Sequence, residues 1–245
     1  MNIFLESFLL FVIPLFPSFL LIHSPTNKLK QYLDYPLVFS GSFLLTMTLS
    51  HILPPIFKNY STYTTLMFVV GYYTQSVLES FSHGVEHGHV HHCTSVKKTK
   101  LGWPILLSLI LHSALDSIIL VTARHSGHAH HTLLSGILIH KVPASLALSA
   151  ILQGIPLSRM KVKLYLLLFC LATPITLLLS NQMLQIFSSH DSIINALWAL
   201  SAGSLFQIST TIINESNPCH QSNSYKYLIV LLLGFIAGIT LNHQH

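Results

Sequence analysis

Eight long apolar stretches occupy most of the chain, and they restrict its fold more than any other feature. They cover residues 3–22, 37–57, 64–82, 103–123, 132–153, 163–180, 192–213 and 226–242. Each approaches the roughly 20 residues that a helix needs to cross a bilayer. None alternates with the period of two that marks a barrel strand. The pattern predicts an all-α polytopic membrane protein with eight transmembrane helices.

Composition argues against most other classes of protein. Of the 245 residues, 8% are charged and 51% are hydrophobic, whereas an ordinary soluble domain has roughly 25% charged residues. A soluble enzyme or a nucleic-acid-binding protein needs far more charge on its surface. The short loops leave no room for a separate soluble domain. We therefore expect residues 1–245 to form a single transmembrane domain, with the lipid bilayer as a partner and no nucleic acid.

The first stretch is predicted to be a retained membrane span. It is apolar from the third residue, and it lacks both the basic segment and the small-residue cleavage site of a secretory signal peptide. Pro14 and Pro17 interrupt the apolar run.

The basic residues predict the orientation of the spans. Nine of them lie in the segments that follow stretches 1, 3, 5 and 7: Lys28, Lys30, Lys97, Lys98, Lys100, Arg159, Lys161, Lys163 and Lys226. The other side has only Lys58 and Arg124, and Lys141 lies inside stretch 5. Because lysine and arginine concentrate in cytoplasmic loops, both termini are predicted to face outside. The expected location is the plasma membrane.

Ionisable residues inside two stretches indicate a functional site. Stretch 4 contains His112 and Asp116, which lie four residues apart and share one helix face. Stretch 5 contains His140 and Lys141, followed by Pro143, which removes a backbone donor from its helix. Imidazole and carboxylate together suit a borderline divalent cation such as zinc or iron. The alternative is a structural His112–Asp116 ion pair. Lys141 can pair with Asp116, reach the interface or act as a fixed positive charge.

Histidine is more abundant than lysine and arginine together, with 17 residues against 12. Residues 83–102 are expected to form a cytoplasmic loop with five histidines: His83, His87, His89, His91 and His92. Its alternation of histidine and glycine suits a weakly selective metal-collecting segment; the alternative is a solvated loop that happens to be rich in histidine. The turn 124–131, on the predicted outer side, has four more: His125, His128, His130 and His131. Together with the buried histidines, these segments trace a path for a metal cation across the membrane.

Four short motifs resemble those of the Zrt/Irt-like (ZIP) family of divalent-metal transporters. Residues 112–117 read HSALDS, where the family has H-[NS]-x-x-[DE]-G, and residues 140–145 read HKVPAS, where it has H-[EK]-x-P-E-[GA]. HILPP at 51–55 is similar to H-x-L-P-E, and AGSLF at 202–206 is similar to A-G-[ST]-x-[LI]. The order of the motifs and the predicted topology also agree with the family.

The resemblance implies a ZIP-like bundle that moves metal toward the cytoplasm. It implies a site halfway across the membrane, with His112, Asp116 and His140 as ligands. Ser113 and Lys141 occupy positions that build a second metal site in some members, and the charge of Lys141 disfavours a second cation nearby. The resemblance further implies that the metal is a substrate, with zinc the expected one, and that the protein forms a homodimer. No prosthetic group is expected.

The sequence also departs from the family pattern. Ala144 replaces the glutamate that follows the proline, Ser117 replaces a glycine, and Pro55 replaces the glutamate of H-x-L-P-E. Two imidazoles and one carboxylate leave a divalent ion with a net charge near +1. These losses predict weaker binding and faster release, compensation by another group, or a protein that no longer transports.

Two further hypotheses follow from the same residues. One is an intramembrane metalloenzyme of the zinc-hydrolase or di-iron type, because such sites also join His and Asp from several helices. The HxxHH pattern of di-iron enzymes is absent from the sequence, and the prediction is that the protein is not an enzyme. The other is a non-transporting, metal-binding relative, which Ala144 and Pro55 favour.

Overall fold

The computed structural model describes residues 2–22, 30–58, 61–82, 84, 102–126, 130–154, 156–187, 191–215 and 224–240. Within these ranges the chain forms eight helices and no strand. They are α1 (Ile3–Leu21), α2 (Lys30–Met47, continued by a π-helical turn at Thr48–Ile52 and by Leu53–Lys58), α3 (Thr62–Ser82), α4 (Gly102–Ser126), α5 (His130–Gln153), α6 (Arg159–Phe187), α7 (Asp191–Glu215) and α8 (Ser224–Thr240). The all-α prediction is confirmed, and each apolar stretch falls on one helix.

Six of these helices, all except α3 and α8, are long and apolar enough to cross a membrane. α3 has sufficient length, but its tyrosines, Gln75 and Glu79 lower its mean hydropathy. α8 is apolar but has only 17 residues. Large apolar side chains on the outer surface, such as Phe16 and Leu232, are exposed, as expected where lipid replaces water. The crossing of the bilayer by α3 and α8 stays a prediction.

α6 is longer than its apolar stretch indicates. The sequence predicts a span over 163–180, whereas the helix runs from Arg159 to Phe187. Asn181, Gln182 and Gln185 carry polar side chains, but a helix saturates its own backbone hydrogen bonds and continues beyond the hydrocarbon region. Likewise α1 continues through Pro14 and Pro17 without interruption.

The helices pack in two groups. In the first group, α6 packs on α1 and α4, and α5 packs on α1 with smaller contacts to α4 and α6. The second group is built on the pairs α2–α8 and α3–α7. α4 joins the two groups because it also packs on α3 and α7, while α5 packs on α2. Polar residues of α4 and α5 therefore lie where the groups meet.

Two glycines allow the backbones of α3 and α7 to come into direct contact. A Cβ atom on Gly71 would lie 1.8 Å from the carbonyl oxygen of Leu200, and one on Gly203 would lie 2.0 Å from that of Phe68. Small residues allow such close approach between membrane helices. The small residues at 201–204 therefore pack closely against α3 and fix it beside α7.

Glu6 near the start of α1 forms ion pairs with Arg124 near the end of α4 and His130 at the start of α5. These three helix ends therefore lie at one end of the bundle. We refer to it as the outer end, because the basic residues predict that it faces outside.

Candidate metal centre

The four ionisable residues predicted at membrane depth come together in the structure. His112 and Asp116 lie near the middle of the 25-residue α4, and His140 and Lys141 near the middle of the 24-residue α5. All four are only 2% exposed. Nε2 of His112 lies 3.4 Å from Oδ2 of Asp116, as the i, i+4 spacing predicts. The ring of His140 stands edge-on to that of His112, with their centres 6.0 Å apart.

Gln75 on α3 orients the His112 ring. Nδ1 of His112 lies 3.2 Å from Oε1 of Gln75, and Ser204 on α7 donates a hydrogen bond of 2.9 Å to the same oxygen. A carboxamide oxygen only accepts hydrogen bonds, so Nδ1 of His112 carries the proton. Nε2 is then the nitrogen that faces Asp116, and it is the nitrogen that a neutral ring in this tautomer offers to a metal ion.

Lys141 forms an ion pair with the Asp116 carboxylate of this cluster. Its Nζ lies 3.1 Å from Oδ2 of Asp116 and donates a 3.1 Å hydrogen bond to the Ser113 hydroxyl. It also stands over the Phe169 ring, 5.2 Å from the ring centre. Of the three roles open to Lys141 from sequence, the structure has the pair with Asp116. The same Oδ2 atom faces both Lys141 and His112.

The side chains of His112, Asp116 and His140 lie close together, but they do not surround a common position that a metal ion could take. Within the described ranges, no three His, Cys, Asp or Glu side chains are arranged to hold a metal ion. The arrangement is a site whose carboxylate is neutralised by an ammonium group. Such a site is chemically suited to exchange one cation for another.

The three departures from the family pattern have different structural outcomes. Ala144 is buried in the apolar cluster between α1, α4, α5 and α6 and supplies no donor. Ser117 ties α4 to α6, since its hydroxyl bonds the Thr173 carbonyl at 3.0 Å and the Thr176 hydroxyl at 2.6 Å. Pro55 lies in the final segment of α2, outside the cluster described above.

Sequence reasoning missed Gln75 and Phe169. Gln75 is buried in the middle of α3, and an uncharged amide at membrane depth was the available signal. The Lys141–Phe169 contact carries no signal in sequence, because phenylalanine is common in every apolar stretch. The five predicted loop ligands, His83, His87, His89, His91 and His92, lie outside the described residues.

The fold and the cluster define a multi-pass helical membrane protein with buried groups of the kind that bind metal ions. The family model described as ZIP Zinc transporter matches residues 97–242, which is more than half of the chain and includes α4 to α8. The chain belongs to this family, and the resemblance inferred from the motifs is confirmed. Its class of function is metal-ion transport across a membrane, with the metal as substrate. No curated protein sequence matches the chain.

Proposed function

We propose that the protein carries zinc or a related divalent cation across the membrane through a site formed by His112, Asp116 and His140. The observation that carries this proposal is the buried His112–Asp116 pair, with His140 facing it from the next helix. Ligands about 2.0–2.1 Å from a tetrahedral zinc ion lie roughly 3.3 Å from one another. The 3.4 Å between Nε2 and Oδ2 matches that separation.

In this proposal the metal displaces Lys141 from Asp116. A divalent ion on Oδ2 repels an ammonium group a few ångströms away. Lys141 already has two other contacts, the Ser113 hydroxyl and the Phe169 ring, and these can hold it after it leaves the carboxylate. Ser113 then binds Lys141 and not a second metal, so transport proceeds through one main site. The return of Lys141 to Asp116 assists release.

The direction of transport in this proposal is toward the cytoplasm. It follows from the predicted orientation, in which the outer turn collects cations and the loop at 83–102 receives them. We place the protein in the plasma membrane as a homodimer. The missing carboxylate at Ala144 favours moderate affinity, which suits fast release.

Uptake into proteoliposomes tests the proposal. Simultaneous His112→Ala and His140→Ala substitutions remove two ligands and leave the Asp116–Lys141 pair in place, so zinc uptake is expected to fall to the level of empty vesicles. Leu109→Ala, which truncates a buried side chain of the same α4 helix, controls for lost packing and should retain uptake per folded molecule. Uptake that survives the double substitution would overturn the assignment.

A metal-binding relative without transport is the second candidate, favoured by Ala144 and by the Lys141–Asp116 pair. Measurements on the purified protein and on the same proteoliposomes distinguish the transporter from the non-transporting relative. Zinc binding to the purified protein with no flux in either direction supports the relative, whereas flux that saturates with zinc supports the transporter.

A further inference from the structure

We propose that Gln75 and Ser204 are positioning residues that hold His112 in the tautomer able to bind a metal ion, and that they make this state depend on contact between the two helix groups. The inference rests on the proposed function, in which His112 is a ligand, and it adds how that site is regulated. Neither positioning residue is itself a metal ligand.

Hydrogen bonds at Gln75 connect three helices. Its Oε1 atom accepts from Nδ1 of His112 on α4 at 3.2 Å and from the Ser204 hydroxyl on α7 at 2.9 Å. All three side chains are at most 2% exposed, so water does not compete for these groups. A carbonyl oxygen has two lone pairs, and the two donors use both. With the Ser204 hydroxyl donated to Oε1, the oxygen of the amide, and not its NH2 group, faces His112.

The tautomer selected by Gln75 leaves Nε2 of His112 without a proton. Nε2 lies 3.4 Å from Oδ2 of Asp116, and among the described residues it has no hydrogen-bond partner. Buried polar atoms without a partner are rare. In the other tautomer Nε2 would carry the proton and donate it to Asp116. Gln75 therefore opposes a hydrogen bond between His112 and Asp116, and it leaves Nε2 available for a cation.

Gln75 and Ser204 stand on a rigid support. Gln75 follows Gly71 by one turn of α3, and Ser204 follows Gly203 directly on α7. These are the two glycines at which the backbones of α3 and α7 touch, and residues four apart share a helix face. The carboxamide and the hydroxyl are thus fixed relative to each other. His112 reaches them from α4, so its tautomer is set by a support outside its own helix.

Zinc affinity in this proposal depends on the contact between the helix groups. While α4 rests against the α3–α7 pair, His112 is kept ready for a cation. When Nδ1 of His112 loses Gln75, the ring takes the other tautomer, donates to Asp116 and no longer offers Nε2 to the metal. Separation of the groups therefore favours release. A purely structural role of Gln75 predicts no change in which His112 nitrogen carries the proton.

The first test is solid-state NMR of the full-length, metal-free protein with 15N-labelled histidine in lipid bilayers, at a pH above the range in which histidine titrates. Signals that disappear in His112→Gln belong to His112. We expect the proton on Nδ1 in the unmodified protein. Gln75→Met, which has nearly the size of glutamine but no strong acceptor, should move the proton to Nε2. Gln75→Glu retains an acceptor and should keep the proton on Nδ1.

The second test is zinc titration by calorimetry in lipid nanodiscs. Its background has alanine in place of the five loop histidines, namely His83, His87, His89, His91 and His92. Gln75→Met should weaken zinc binding by about 10–100-fold, the usual effect of losing a supporting partner of a metal ligand. Ser204→Ala should weaken it less, because His112 keeps its bond to Gln75. Gln75→Glu should retain the affinity that Gln75→Met loses.

Ser201→Ala is the matched control, because Ser201 is buried on the same α7 helix and its hydroxyl does not bond to Gln75. It should change neither the proton position nor the zinc affinity. A proton that stays on Nδ1 in Gln75→Met, or equal zinc affinities of Gln75→Met and Ser201→Ala, would overturn the proposal.

Ser204→Ala decides the matter if Gln75→Met fails to fold. Without the Ser204 hydroxyl the Gln75 amide is free to turn, so a mixture of His112 tautomers supports the proposal and Nδ1 protonation alone overturns it. Failure of zinc uptake by the unmodified protein counts against the proposed function and leaves the NMR result unaffected.

Discussion

Asp116 in the centre of the bundle and Glu6 at its outer end are both buried carboxylates with a histidine nitrogen 3.4 Å away and a basic side chain in contact. They differ in how the basic group is placed. The Lys141 side chain is 3% exposed and shares oxygen Oδ2 with His112. The Arg124 side chain is 29% exposed and binds the oxygen that His130 does not face. In the centre, lysine and histidine face the same carboxylate oxygen, so a metal ion bound as we propose would compete with Lys141 for that atom. At the outer end, arginine and histidine face different oxygens of one carboxylate.

Asp116→Asn should have the largest effect, because it removes the only carboxylate of the central trio. We expect zinc uptake into proteoliposomes to fall at least tenfold, in line with the effect of losing even a supporting partner of a metal site. Since the substitution also leaves Lys141 buried without its ion pair, the double variant Asp116→Asn with Lys141→Met serves as control. It should recover stability but not uptake. Recovery of uptake in the double variant would show that Asp116 is structural.

Lys141→Met tests competition at the central carboxylate. Removing one partner of a buried ion pair typically costs about 3–5 kcal/mol, so the metal-free variant should be less stable by about that amount. Zinc at 100 times the variant's Kd should then stabilise the variant by about 2.7 kcal/mol, and the same zinc concentration should stabilise the unmodified protein less. Thermal unfolding in detergent with and without zinc measures both effects. Equal stabilisation of the two proteins by zinc would contradict competition.

Arg124→Gln makes the corresponding change at the outer end and should cost less. Arg124 is partly exposed, so water can replace part of its interaction with Glu6, and His130 remains as a second partner. We expect the free energy of unfolding of the metal-free protein to fall by about 1–2 kcal/mol, less than the roughly 3–5 kcal/mol typical of a fully buried pair. The same unfolding measurement ranks the two variants. A larger loss for Arg124→Gln than for Lys141→Met would reverse the comparison.

Salt should produce the smallest difference. Partly exposed charges are screened by ions and fully buried ones much less. The stabilising effect of Arg124 is measured as the difference in free energy of unfolding between the unmodified protein and Arg124→Gln. Raising the salt concentration from about 0.05 to 0.5 M should therefore reduce this difference by less than about 1 kcal/mol. The corresponding difference for Lys141→Met should not change. Equal salt sensitivity of the two differences would contradict the contrast in exposure.

The helices were predictable from sequence because lipid demands continuous apolar segments with internally satisfied backbones. The shared face of His112 and Asp116 was also predictable, since helix geometry alone sets it. Gln75 and Glu6 were not, because their partners lie on other helices, and pairing across helices depends on packing that no local pattern encodes. The sequence likewise could not single out the ion pair between Lys141 and Asp116 from the other roles open to Lys141. That pair depends on the rotation of α5 against α4.

The two glycines between α3 and α7 make tolerance to mutation uneven along the chain. No side chain fits at Gly71 or Gly203 without separating two backbones, although neither residue has a group that can bind a cation. In a saturation scan these positions should therefore score as intolerant as the metal ligands themselves. Measures of surviving activity alone will not separate the two kinds of position, whereas the amount of folded protein will.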